Sequence, residues 1–140
     1  MSCFALNSRH HLPSGKLRAT LAMTLFVAAF AGPAVGGPKD SASVAMRRGD
    51  YATALRLLLP LGEHGDAEAE DGLGHLYASG RADKGPDFVR AYMWFSLAAM
   101  HHPPGNDRDT NERNFEGLAH FMSPAEVELA RELVRNWRPR

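Results

Sequence analysis

The amino-acid sequence predicts an all-α protein made of antiparallel helix pairs, preceded by an N-terminal export segment. Apolar residues recur at helical spacing in five stretches, and no stretch alternates apolar and polar residues as a half-buried strand does. The chain has 140 residues, 44% hydrophobic and 23% charged, which is the balance of one globular domain. Sixteen basic and sixteen acidic residues leave no strongly basic surface, so nucleic acid is not expected as a partner.

Residues 1–36 have the pattern of a secretory signal peptide followed by a short linker. Three basic residues and no acidic one precede an apolar run at 19–31, and small residues follow it. Cleavage is expected after Ala31 or Gly36, which makes the protein periplasmic or secreted. A membrane anchor at residues 19–31 is the alternative, although a span needs about 20 apolar residues. A buried helix is the third interpretation.

Residues 37–140 form the predicted helical domain. Short connections favour antiparallel neighbours, so we expect three helix pairs: 42–48 with 51–62, 67–79 with 88–100, and 109–122 with 124–137. Asp50, Asp66 and Ser123 are expected to cap helices by accepting hydrogen bonds from free backbone N–H groups. Pro60 lacks an N–H and is expected to kink the first long helix or to end it early.

Residues 65–99 contain the pattern of one complete helix-pair repeat. Small residues at Gly74 and Ala91 allow neighbouring helices to approach closely, and large residues fill the space between layers. The positions that carry the pattern are Ala69, Leu73, Gly74, Tyr77, Gly80, Asp87, Ala91, Trp94, Ala98 and Ala99. This set resembles the Sel-1-like repeat, a relative of the tetratricopeptide repeat, and the resemblance covers about residues 43–137. It implies an αα-hairpin solenoid of about two and a half repeats with a C-terminal capping helix.

The resemblance implies a non-catalytic scaffold or adaptor in the bacterial envelope or outside the cell, with a protein or peptide as its partner. A short solenoid with open ends is also compatible with a homo-oligomer, and membrane contact is expected only if the export segment is retained. The alternative is a small periplasmic ligand binder or hydrolase that acts on cell-wall material. A cluster of titratable groups between the helix pairs would favour that alternative.

The search for catalytic or metal-binding motifs yields none that predicts an enzyme, a cofactor or a metal site. Export would remove Cys3, the only cysteine, so neither a disulfide nor a cysteine nucleophile is expected. The histidines are scattered, and the adjacent His101 and His102 are expected in a loop with their side chains pointing apart. A functional zinc site needs three or four converging ligands, so solvated histidines are expected instead.

Two further groups of residues are interpreted as structural. The acidic residues at 66, 68, 70 and 71 are expected to be solvated and to compensate the dipole at the start of a helix. Tyr92, Trp94 and Phe95 cover more than one face of their helix, so they do not all fit into one packed layer. Core packing is expected for most of them, and Tyr92 is the candidate for a surface contact with a partner.

Overall fold

A computed structural model describes residues 36–140, which form six α-helices. They are α1 (Pro38–Arg47), α2 (Tyr51–Glu63), α3 (Ala67–Ala78), α4 (Phe88–His101), α5 (Asn106–Ala119) and α6 (Pro124–Asn136). The all-α prediction is therefore confirmed for this part of the chain, which has no strand. None of these helices is long and apolar enough to span a membrane. The predicted apolar run at 19–31 lies outside the described residues.

Side-chain caps begin four of the helices. Asp50, Asp66 and Asp87 each accept a hydrogen bond from the backbone N–H three residues later, at 3.1, 3.0 and 2.9 Å. At α6, the Ser123 N–H donates to the Glu126 carboxylate at 2.7 Å and the Glu126 N–H donates to Ser123 Oγ at 3.3 Å. Each cap satisfies a donor that the first turn of a helix leaves free.

Three helices differ from the sequence prediction at their ends. Helix α1 begins at Pro38 rather than at residue 42, because a proline at the first helical position loses no hydrogen bond. Helix α2 continues through Pro60 to Glu63, so the predicted early end is wrong. Gly62 in its last turn is buried, and a Cβ atom there would meet the side chains of Leu73 and Trp94.

The third difference lies at the start of α5, which begins at Asn106 rather than at 109 and ends three residues before the predicted end. Gly105 has a φ of 152°, a conformation that glycine adopts without strain. This turn lets the helix start directly after the two prolines that precede Gly105.

Helix α4 is the centre of the domain. It packs against α3, α5 and α6, while α1 packs on α2 and α2 on α3. Eight of its side chains are buried: Ala91, Tyr92, Trp94, Phe95, Ser96, Leu97, Ala98 and Ala99. A helix with neighbours on three sides buries more than one face, and this explains its nearly continuous apolar sequence.

Helices α5 and α6 do not form the packed pair that the sequence predicted. They share few contacts, and α6 packs on α4 instead. Near its start, Glu126 borders the same cavity as Val89 of α4. Just after its end, the Trp137 ring lies 5.1 Å from the His101 ring at the end of α4. Helix α6 therefore runs alongside α4 in the same direction.

Close packing of α3 on α4 depends on Gly74. A Cβ atom at this position would lie 2.6 Å from two ring atoms of Phe95, far inside van der Waals contact. The Phe95 ring is only 2% exposed and contacts the edge of the His75 ring at a centroid distance of 5.0 Å. The small residue thus makes room for a large ring of the neighbouring helix.

Candidate functional site

The predicted repeat residues lie in α3, in α4 and in the turn between them. Most are buried and build the core of this helix pair: Ala69, Leu73, Gly74, Tyr77, Ala91, Trp94, Ala98 and Ala99. Gly80 has a φ of 73° in the turn after α3, and Asp87 caps α4. These side chains form the interior of the fold, so a partner has to contact other residues.

Tyr92 is buried, so its prediction as a surface residue is wrong. It is 6% exposed, and its ring lies 5.1 Å from the ring of Phe115 on α5. The prediction allowed α4 a single packed face. Because α5 and α6 cover the faces that α3 leaves free, Tyr92, Trp94 and Phe95 are all buried.

A polar groove of about 240 Å³ lies between α3 and α5. Side chains from both helices and from the residue after α4 converge on it, and we call it the α3–α5 groove. Its lining residues are Glu68, Asp71, His75, His102, Asp107, Thr110 and Asn111. The α3 residues follow the spacing i, i+3, i+7, which places them on one face of that helix. The groove is therefore a product of the helical register of α3 and α5.

The charge of the groove is negative. Three carboxylates and two imidazoles line it, and no lysine or arginine is among its lining residues. Lys39 of α1 approaches one of these carboxylates, with its Nζ 2.7 Å from Glu68 and 3.0 Å from Asp66. His75 Nε2 lies 3.6 Å from Asp71 Oδ1. The carboxylates of Asp71 and Asp107 thus face solvent without a lysine or arginine in the groove beside them.

Asn111 supplies a buried polar group at the wall of the groove. The residue is 2% exposed, and its Nδ2 donates to the Asp107 carbonyl at 3.0 Å. Its Oδ1 is buried and has no donor among the described residues. Buried polar atoms are almost always hydrogen-bonded, so Asn111 Oδ1 is an unsatisfied acceptor inside the α5 wall.

Glu70 is fully buried, so the expectation that the acidic residues at the start of α3 are solvated is wrong for this one of the four. His101 Nδ1–H donates to both oxygens of its carboxylate, at 2.9 and 2.8 Å. The His101 ring is 28% exposed and faces Trp137. His101 is thus the last residue of α4 and a partner of a buried acid, not a solvated loop histidine.

Burial raises the pKa of the Glu70 carboxyl above its ordinary value, because the charged form loses its hydration. The hydrogen bond and positive charge of His101 oppose this shift, the negative charge of Asp66 adds to it, and His102 opposes it. The pair links α3 to the end of α4. Because the carboxyl is buried and its hydrogen bonds join two helices, the contact has a structural role in holding them together.

Metal binding has no support in residues 36–140, where no group of three or more His, Cys, Asp or Glu side chains has the arrangement to hold an ion. The groove offers acceptors and imidazoles, which bind cationic or hydrogen-bonding groups. Its only hydroxyl is that of Thr110, which has Arg113 as its hydrogen-bond partner rather than a histidine or a carboxylate.

Comparison with family models, curated proteins and solved structures gave no match for this chain. The resemblance to the Sel-1-like repeat therefore rests on the residues of α3 and α4 themselves.

Sequence reasoning missed three residues of this region: Glu70, His101 and Asn111. A signal for Glu70 was present, because Glu70, Leu73 and Tyr77 follow the spacing i, i+3, i+7 and so share the buried face of α3. His101 and Asn111 had no comparable signal, since the contacts of His101 and the burial of Asn111 depend on how α4 and α5 meet other helices.

Proposed function

We propose that the protein is a non-catalytic interaction module of the Sel-1-like type, which binds a protein or peptide partner in the α3–α5 groove. The observation that carries the proposal is the convergence of side chains from α3 and α5, two helices that both pack on α4, on one open groove. Helical repeat proteins present their binding surfaces on such extended concave faces. The buried repeat residues supply the scaffold that holds these two helices in place.

The chemistry of the groove favours a basic segment as the partner. Its carboxylates attract lysine or arginine side chains. The export signal in the sequence supports a location in the bacterial envelope or outside the cell. There the module acts as an adaptor that brings an envelope protein into a complex.

Site-specific photo-crosslinking in the producing cells tests this function. A photoreactive amino acid at Thr110, an exposed residue of the groove, is expected to trap one recurrent protein. The photoreactive amino acid in place of Ala52, which is exposed on α2, serves as the matched control. Equal adducts at the two positions would contradict the proposed groove.

Charge reversal provides the second half of the test. Asp107→Lys places a positive charge in the groove and is expected to reduce the Thr110 adduct about tenfold. Asp109→Lys makes the same change on an exposed residue of α5 that does not line the groove. If both variants reduce the adduct equally, the effect comes from general charge or from α5 itself, and groove recognition is refuted.

The second candidate function is a small envelope protein that binds or hydrolyses cell-wall material. The observation in its favour is the titratable cluster between the helix pairs, in which Asp71, His75 and His102 line the groove and Glu70 pairs with His101 nearby. Incubation with soluble cell-wall fragments, followed by mass spectrometry, tests it. Fragment cleavage that is lost in His75→Ala would support this candidate against the adaptor.

A further inference from the structure

Helix α6 has a face with two exposed leucines at its centre, and no other helix covers it in the part of the chain that the structure describes. Glu126, Leu129, Leu133 and Asn136 follow the spacing i, i+3, i+7, i+10 and share this face. Leu129 is 49% exposed and Leu133 is 37% exposed. A neighbouring face, with the buried Ala130, packs on α4. The helix is therefore apolar on two adjoining faces, of which one is in contact with the core.

The exposed leucines adjoin an apolar edge of α4. Glu126, from the leucine face, borders a cavity with Val89, and Asn136, from the same face, borders a cavity with Met93. Val89 and Met93 are one helical turn apart on α4 and half-buried. Together the two helices form an open apolar strip, the α4–α6 strip, which consists of Val89, Met93, Leu129 and Leu133.

The two ends of the strip carry opposite charge. At the start of α6 lies a cavity of about 400 Å³, whose charged lining residues are Asp83, Lys84, Asp87 and Glu126. At the end of α6 lies a cavity of about 460 Å³, whose charged lining residues are Glu63, Arg138 and Arg140. Within the chain Asp87 pairs with Arg90, and Arg140 pairs with Glu63. These pairs leave one net negative charge at the first end and the positive charge of Arg138 at the second. A binding partner has to match both ends and the apolar centre.

We propose that the α4–α6 strip binds the same strip of a second copy of this chain, with the two α6 helices antiparallel about a two-fold axis. In this arrangement the acidic end of each copy faces the basic end of the other, and the leucines of both copies meet at the centre. A two-fold axis requires a surface that is complementary to itself, and opposite charges at the two ends supply that property. A uniformly basic or acidic partner matches only one end.

The dimer is tested by sedimentation analysis of the chain as purified from the cells that produce it, over a range of micromolar concentrations. The wild type is expected to sediment as a monomer–dimer equilibrium. Leu129→Glu combined with Leu133→Glu is expected to shift the protein to monomer, with helical circular dichroism unchanged because both side chains are exposed. Met100→Glu, a matched change at a residue that is 62% exposed on α4 and outside the strip, is expected to leave the dimer intact.

A charge swap tests the antiparallel arrangement. Asp83→Lys alone and Arg138→Glu alone are each expected to weaken the dimer several-fold, and the double variant is expected to recover most of the lost affinity. A wild type that stays monomeric, or a dimer that survives the leucine substitutions, overturns the proposal. A double variant weaker than either single variant refutes the antiparallel pairing. None of these outcomes depends on the α3–α5 groove.

Discussion

Replacement of Gly74 by alanine tests how closely α3 and α4 approach. The new Cβ atom would lie 2.6, 2.6 and 2.8 Å from three ring atoms of Phe95. Since carbon atoms prefer separations of about 3.5–4.0 Å, the ring has to move by about 1 Å. The buried Phe95 ring already rests against His75, so this movement disturbs its packing.

The magnitude follows from two opposing effects. Overpacking of a tight core lowers the free energy of unfolding by about 1–3 kcal/mol. Alanine is the better helix former and returns up to about 1 kcal/mol. We therefore expect Gly74→Ala to be less stable than the wild type by about 1 kcal/mol in urea denaturation.

Gly117→Ala separates the two effects. Gly117 lies in α5, and a Cβ atom there would meet nothing within 4 Å, so only the gain in helix propensity remains. We expect this control to be at least as stable as the wild type and about 2 kcal/mol more stable than Gly74→Ala. Equal stability of the two alanine variants would refute the close approach of Phe95 to α3.

Three further predictions concern the buried acid and a helix cap. His101→Ala leaves the Glu70 carboxylate without its donor, and we expect a loss of about 2–3 kcal/mol at pH 8 in urea denaturation; unchanged stability would contradict the pairing. The folded state holds the Glu70 proton more tightly, so the stability of the wild type relative to Glu70→Gln should fall as the pH rises from about 4.3 through the folded-state pKa. If the stability relative to Glu70→Gln rises with pH instead, burial is not the dominant influence on the pKa of Glu70. Asp87→Ala removes the cap of α4 and should cost about 1 kcal/mol in thermal unfolding; an unchanged melting temperature would contradict the capping role.

The local part of this fold could be predicted from the sequence because it depends on neighbouring residues. Asp50, Asp66 and Ser123 cap helices where their side chains were expected to do so. Helical periodicity located five of the six helices, with boundary errors of a few residues. A cap and a stripe are set within one or two turns of chain, and a sequence displays both directly.

The arrangement of helices could not be predicted in the same way. The apolar stripe on α6 correctly indicated that one face of this helix is packed. Whether that face packs on α5 or on α4 depends on how the side chains of all three helices fit together, and a single stripe does not show this. The same limit explains Tyr92 and Glu70, whose burial follows from helices that pack on α4 and α3. The α3–α5 groove joins residues more than 30 positions apart, and no short motif announces it.

The two proposed surfaces share no residue, although α4 borders both. The groove uses His102, which follows α4. The α4–α6 strip uses Val89 near the start of that helix and Met93 near its middle. For a partner that binds through a single segment, the leucine substitutions that disrupt the dimer should therefore leave the Thr110 crosslink unchanged. A partner with two such segments would bind a dimer more tightly through its two grooves, so its crosslink should weaken in the monomeric variant. This comparison tells whether the dimer serves the groove or is independent of it.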